Sequence, residues 1–376
     1  MARVKLGDVA REYKATIKNA TGLPTVGLEH LTPSEIVLER WDEGAENTFT
    51  KGFKKGHMLF GRRRAYLKKA ALAPFDGICS GDIIVIEAIP EKIHPELLPF
   101  IIQNDLLFDY AVGNSAGSLS PRVKWESLKD YEFELPDLDK QDDMVELLKA
   151  AHRTRKAYQN QIAATDELVK SQFIEMFGDP VDNTKALPVH QLSRHIRYLT
   201  SGSRGWAKYY TDSGEWFITI KNVKDCMISV DDVQCVTPPP GAEADRTRLQ
   251  EGDLLISVTA DLGRTGVVTK EIADHGAYIN QHLVCIRLDT QVLDPLYVAY
   301  FMESEAGKKQ FFAKNLSSVK AGLNFDSIRT LELIVPPLDK QKEFISFTKQ
   351  SDKSKFVVSN RNLSSASILL GIATSK

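Results

Sequence analysis

Nowhere in this chain do 18 apolar residues follow one another, so a membrane-spanning helix is excluded. Cysteine is scarce: Cys79, Cys226, Cys235 and Cys285 contain no Cys-x-x-Cys pair and supply neither a disulfide framework nor a zinc cluster. They read as free thiols packed as small hydrophobes. The eight histidines are scattered, with no His-Glu-x-x-His and no pair four apart, so no metal site is expected. Phosphate-cradling loops are missing, both Gly-x4-Gly-Lys-Ser/Thr and Gly-x-Gly-x-x-Gly after a strand. The Asn/Asp-Pro-Pro-aromatic tetrapeptide of adenine methyltransferases is missing too. No apolar stretch with a cleavage site opens the N-terminus, so a cytoplasmic protein is expected.

An excess of either charge is also lacking: 48 Lys and Arg oppose 50 Asp and Glu, for a net charge of -2. The distribution is less even than the sum. Between Asn47 and Phe75 there is no carboxylate, while Lys51, Lys54, Lys55, Arg62, Arg63, Arg64, Lys68 and Lys69 supply eight positive charges. Such a run is either a solvated face or a phosphate-binding one. A second stretch, Leu199 to Tyr210, sets Ser203, Arg204, Trp206, Lys208 and Tyr209 in a Gly/Ser-rich backbone suited to meeting phosphates and bases. Arg246, Arg248 and Arg264 are further candidate readers.

With 376 residues, 43% hydrophobic and 26% charged, the chain has the composition of a globular protein of two to three domains at roughly 150 residues each. An internal repeat organises it. Leu135-Pro-Asp-Leu-Asp-Lys-Gln141 returns as Val335-Pro-Pro-Leu-Asp-Lys-Gln341, an offset of 200 that also pairs Gly81–Ile86 with Gln281–Ile286 and Val123-Lys-Trp125 with Leu323-Asn-Phe325. With small shifts, Lys55–Phe60 aligns with Glu251–Ile256, and Leu23–His30 with Glu215–Asn222. Each copy begins with a segment rich in Gly, Pro and short β-branched runs, read as a mixed strand-rich domain, 1–138 and 179–338.

Each copy ends in a proline-free stretch past its opening motif, 139–178 and 339–376, read as a long helix. In the first, Met144, Leu148, Ala151, Arg155, Tyr158, Ile162, Thr165, Val169, Gln172 and Met176 alternate steps of four and three, a coiled-coil or bundle seam. The second is poorer, with Phe344, Phe347 and Val358 among its apolar positions. The helices carry net charges of -1 (six basic, seven acidic) and +4 (seven basic, three acidic), which favours their antiparallel pairing; alternatively each packs only on its own domain. Asp137-Leu-Asp139-Lys140 has the look of an acidic nuclease cluster, but Pro337 replaces Asp137 in the second copy. Helix N-caps at Asp139 and Asp339 explain the pattern better.

Taken in order, Leu23–His30, Lys55–Lys69, Thr200-Ser-Gly-Ser203, Glu251–Ile256, Asn280-Gln-His282 and the twin Pro-x-Leu-Asp-Lys-Gln motifs resemble the specificity (S) subunit of type I restriction-modification systems over nearly the whole chain. The resemblance implies an α+β fold with two target recognition domains separated by two long antiparallel helices in a pseudo-twofold arrangement. Each domain would read one half of a split double-stranded DNA site. The helices, through Met144, Leu148, Tyr158, Ile162, Val169, Phe344, Phe347 and Val358, would dock two methyltransferase (M) subunits. Motor-nuclease (R) subunits join through the complex. This chain would perform no chemistry and bind no cofactor, with S-adenosylmethionine, ATP and Mg on its partners. The competing reading is a two-domain protein-interaction scaffold without DNA readout.

Overall fold

The computed structural model describes residues 2–18, 21–44, 48–315 and 322–351. These divide into two compact units, with the boundary between Tyr158 and Gln159. The boundary falls inside one continuous helix, Leu138–Phe177. Each unit is built on the same plan.

In the first unit a four-stranded antiparallel sheet runs in the order Ala10–Glu12, Ile83–Ala88, Met58–Gly61, Ala70–Leu72. In the second the order is Ile196–Ser201, Leu283–Leu288, Leu254–Ser257, Thr265–Val267. The register is shared as well: Met58 faces Ile86 as Leu254 faces Ile286. The apolar runs at the centre of each sheet follow from burial on both faces, since successive side chains of a strand point to opposite sides. Ile84 and Ile86 join one core and Ile83 and Val85 another; Val284 and Ile286 are separated from Leu283 and Cys285 in the same way.

A second small sheet in each unit contains a parallel pair, Pro24–Val26 with Gly77–Cys79 and Glu215–Ile218 with Ala277–Ile279. Val26 faces Cys79 as Ile218 faces Ile279. The units diverge around that pair. Both have an antiparallel neighbour on the first strand, Asp42–Glu43 on Pro24–Val26 and Gln234–Val236 on Glu215–Ile218, but the fourth strand is Lys51–Phe53 on Gly77–Cys79 in the first and Tyr210–Thr211 on Gln234–Val236 in the second.

The twin motif is a joint between sheet and helix. Gln141 is 1% exposed; its Oε1 accepts from the backbone N–H of His94 at 2.7 Å and its Nε2 donates to the Pro136 carbonyl at 2.8 Å. Gln341 is fully buried, accepts from Asp294 N–H at 2.9 Å, and donates to the carbonyls of Val292 (2.9 Å) and Pro336 (2.8 Å). Asp139 and Asp339 are not the caps expected from the sequence. Lys140 N–H donates to the Asp137 carbonyl and Lys340 N–H to the Pro337 carbonyl, so 137 and 337 occupy the cap position and the aspartates stand inside the first turn. There they contribute negative charge near the positive end of the helix dipole. Asp294-Pro295 starts the helix Pro295–Glu303: Asp294 Oδ1 accepts from Leu296 N–H at 2.8 Å.

The helix seam divides between the units. Met144 and Leu148 pack on the first unit's core, and Val169 belongs to that of the second. Residues 338–351 are helical, and Phe344, with Phe347 beside it, lies in the second core. At these positions the apolar side chains pack within their own units, with Met144, Leu148 and Phe347 only partly buried. Tyr158 and Ile162 are half-buried between exposed neighbours. Val358 and the rest of the second helix lie outside the described residues, and with them the expected pairing of the two helices.

His195 is buried, its ring stacked on His190 with Nε2 2.8 Å from Nδ1 of that residue. Burial and the neighbouring His190 hold His195 below the ordinary histidine value of 6.5, against the pull of Asp289. A depressed histidine pKa means that the unfolded chain binds the proton first, so its contribution to stability is present above the ordinary value and lost as pH falls below it. Denaturation of the second unit should therefore become easier as pH falls through the ordinary histidine value of 6.5, and His195→Gln should flatten that dependence. An equally steep dependence in the variant would show that other groups carry it.

Candidate nucleic-acid interface

In the first unit the arginine-rich segment links Met58–Gly61 to Ala70–Leu72. It turns through a short 3-10 helix, Ala65–Leu67, bounded by Arg64 and Lys68, both left-handed at φ 54° and 51°. Backbone bonds tie it to the loop before Val123: Arg64 N–H donates to the Pro121 carbonyl (2.8 Å), and Val123 N–H donates to that of Arg62 (3.0 Å).

The candidate cations separate by what they already hold. Lys54 pairs with Asp76 at 2.8 Å, Lys68 with Asp105 at 2.6 Å, and Lys51 with Glu12 at 3.5 Å. Arg63 lies 3.5 Å from Asp82 and donates to Ser120 Oγ at 3.1 Å. Asp82 also takes Nε of Arg122 at 2.6 Å, and Arg122, with help from Arg63, holds its carboxyl below the usual carboxylate range. These groups are tied up within the fold. By contrast, Lys55, Arg62, Arg64 and Lys69 have no carboxylate within ion-pair distance among the described residues. Arg62 donates to the Val123 carbonyl and Lys69 to the Leu28 carbonyl, which position the side chains and leave the charge intact.

In the second unit the Gly/Ser stretch is partly interior. Ser203 is 1% exposed: its N–H donates to the Ile279 carbonyl, its carbonyl accepts from Gln281 N–H, and its Oγ lies 3.1 Å from Thr247 Oγ1. A Cβ on Gly202 would sit 2.1 Å from the Asn280 carbonyl oxygen, so only glycine fits there. The patterns at 200–203 and 280–282 are therefore one contact seen from both sides. Trp206 is also corrected as a base-contacting residue: at 3% exposure it stacks on Phe217 (centroids 5.7 Å apart) and packs against Tyr278 and Tyr209. It organises the loop from beneath and offers no face to a ligand.

Arg248 is held by Glu215 at 2.7 Å and Tyr278 Oη at 2.8 Å, and Arg264 by Asp261 at 2.6 Å. Arg204, Lys208 and Arg246 remain exposed without a carboxylate partner among the described residues. Lys208 lies over the Tyr209 ring, and Arg246 donates to the Ser201 carbonyl at 2.6 Å. Each unit thus presents several unneutralised cations, on the anchored arginine-rich segment in the first and on the 3-10 helix Trp206–Tyr209, its preceding turn and the helix Ala242–Thr247 in the second. No group of three or more His, Cys, Asp or Glu suited to a metal ion occurs among the described residues. No helix among them is long and apolar enough to cross a membrane.

Comparison with known proteins gives a consistent result. A family model described as the type I restriction modification DNA specificity domain matches residues 2–164 and 240–363. The type I restriction enzyme EcoDI specificity subunit of Escherichia coli is 25% identical over 187 residues, which is 46% of this chain and 40% of that relative. A structure from work on complex assembly and conformational transition of the type I R-M system aligns over 99% of this chain and 96% of its own, at 19% identity and a TM-score of 0.50. The type I restriction-modification S subunit of M. genitalium aligns over 98% of this chain and 93% of its own, at 10% identity and a TM-score of 0.55.

Proposed function

Since the chain belongs to the type I restriction modification DNA specificity family, we propose that its two units each read one half of a split double-stranded DNA target for a cytoplasmic methylation and restriction complex. The observation that carries this reading is the duplication itself: one sheet order in one register, with unneutralised cations exposed in both copies. In this role the cations bind phosphates and position each unit, while polar and apolar side chains beside them specify bases. The chain supplies recognition only. Two methyltransferase subunits provide S-adenosylmethionine chemistry on adenine, and motor-nuclease subunits join with ATP and Mg.

Co-expression with the methyltransferase and single-molecule sequencing of the host DNA tests this. The expected result is a split methyl-adenine motif with an undefined gap, present with the chain and lost on its deletion. An unchanged set of methylated motifs would remove the reading and leave the protein scaffold.

A further inference from the structure

Leu119 is the most exposed large apolar side chain among the described residues, at 91%. A single surface leucine is ordinary; its setting here is not. The loop that carries it leaves the helix Asp105–Gly113 and closes at a neck, where Ala116 and Arg122 exchange backbone hydrogen bonds of 3.0 and 2.9 Å. Gly117, at φ +114°, starts the turn. The five residues Gly117 to Pro121 project from that neck with Leu119 at their centre.

The neck is fixed to the arginine-rich segment by an Arg63–Arg122 β-bridge, by the bonds to Pro121 and Val123 described above, and by Arg63 on Ser120. Arg122 is locked onto Asp82 by two bonds, of 2.6 and 3.2 Å. A solvent-exposed loop tip needs none of this bracing. The second unit repeats the anchorage: Thr259 bridges Gly322, and Leu323 N–H donates to the Val258 carbonyl at 2.9 Å. The residue 200 positions after Leu119 is Val319, again apolar, although it lies outside the described residues.

We propose that Leu119 is a specificity-determining residue of the first unit, making direct apolar contact with a base while Arg62 and Arg64 of the adjoining segment hold the phosphates. The inference rests on the DNA-reading function above. Cations placed beside the loop orient it but carry no sequence information. An apolar tip completes the set, because it can distinguish a thymine methyl or pack on the face of an opened base step, neither of which an arginine on a phosphate does. Preformed anchorage lowers the ordering cost of the insertion.

The test uses the chain in complex with its methyltransferase and the variant Leu119→Ala, whose site lies in solvent and should fold as the parent does. The expected result is methylation of the parent motif reduced about tenfold or more, with other bases admitted at one or two neighbouring positions of a single half-site. Replacing thymine by uracil in that half-site separates the two contacts. A matching loss with the parent protein identifies the methyl group, and no loss identifies the base face. An unchanged motif methylated to the same extent would overturn the inference, as would a variant that no longer assembles with the methyltransferase, since the leucine would then be a protein contact. Failure of the underlying reading is distinct: the parent chain itself would then specify no motif.

Discussion

Neutralising Arg62, Arg64 and Lys69 together, as R62Q/R64Q/K69Q, is expected to lower binding and methylation of the cognate DNA on the order of 100-fold while leaving assembly with the methyltransferase intact. The three are chosen because the fold has not already neutralised them. Their hydrogen bonds run to the carbonyls of Val123 and Leu28 or, for Arg64, through its own backbone, and glutamine preserves a donor at each position. Arg63 is left in place. It is engaged with Asp82 and Ser120, and its Nε is buried without a partner among the described residues, so its removal would confound binding with local collapse.

The salt dependence makes the prediction quantitative. Each phosphate contact releases about 0.9 of a counterion from duplex DNA, so the slope of log affinity against log salt should become shallower by about 2.7 in the triple variant. Lys54→Gln and Lys68→Gln serve as internal controls, because Asp76 and Asp105 already neutralise them. They should change both quantities much less. Equal effects from the two sets, or none from the triple, would show that this segment is a solvated face.

The repeat was legible because it is written in motifs that the backbone needs. The alignment matches Val26 with Ile218 at an offset of 192 and Cys79 with Ile279 at 200, and the structure sets the two pairs in the same parallel register, Val26 opposite Cys79 and Ile218 opposite Ile279. The long helix was legible from its 4-3 rhythm. Burial at the loops was not. Trp206 and Ser203 sit in a Gly/Ser stretch whose composition is the same whether it faces water or covers a core, and only the parallel strand ending at Ile279 decides it. Charge likewise misleads when the neutralising carboxylate is distant in sequence, as Asp82 is from Arg122 and Asp253 from Arg287. Leu119 left one signal, an apolar residue within Gly-Ser-x-Ser-Pro with an apolar counterpart at the repeat offset.

The buried glutamines of the twin motif should be costly side chains to remove for stability. Gln341→Ala leaves Asp294 N–H and the Val292 and Pro336 carbonyls unsatisfied in a site that excludes water, at about 1–3 kcal/mol for each orphaned group. Partial relaxation should bring the total to about 3–5 kcal/mol. Gln141→Ala orphans two groups, His94 N–H and the Pro136 carbonyl, and should cost about 2–4 kcal/mol. Gln341→Glu sharpens the argument: the carboxylate can still accept from Asp294, but it faces two carbonyl oxygens with no proton to offer, so it should be no better than alanine. Denaturant unfolding followed by fluorescence separates the units, since Trp41 and Trp125 lie in the first and Trp206 and Trp216 in the second. Lys342→Ala, one residue along on the exposed face, should stay within about 0.5 kcal/mol of the parent. A Gln341→Ala protein as stable as that control would mean that the motif is not the joint that fixes the helix onto its sheet.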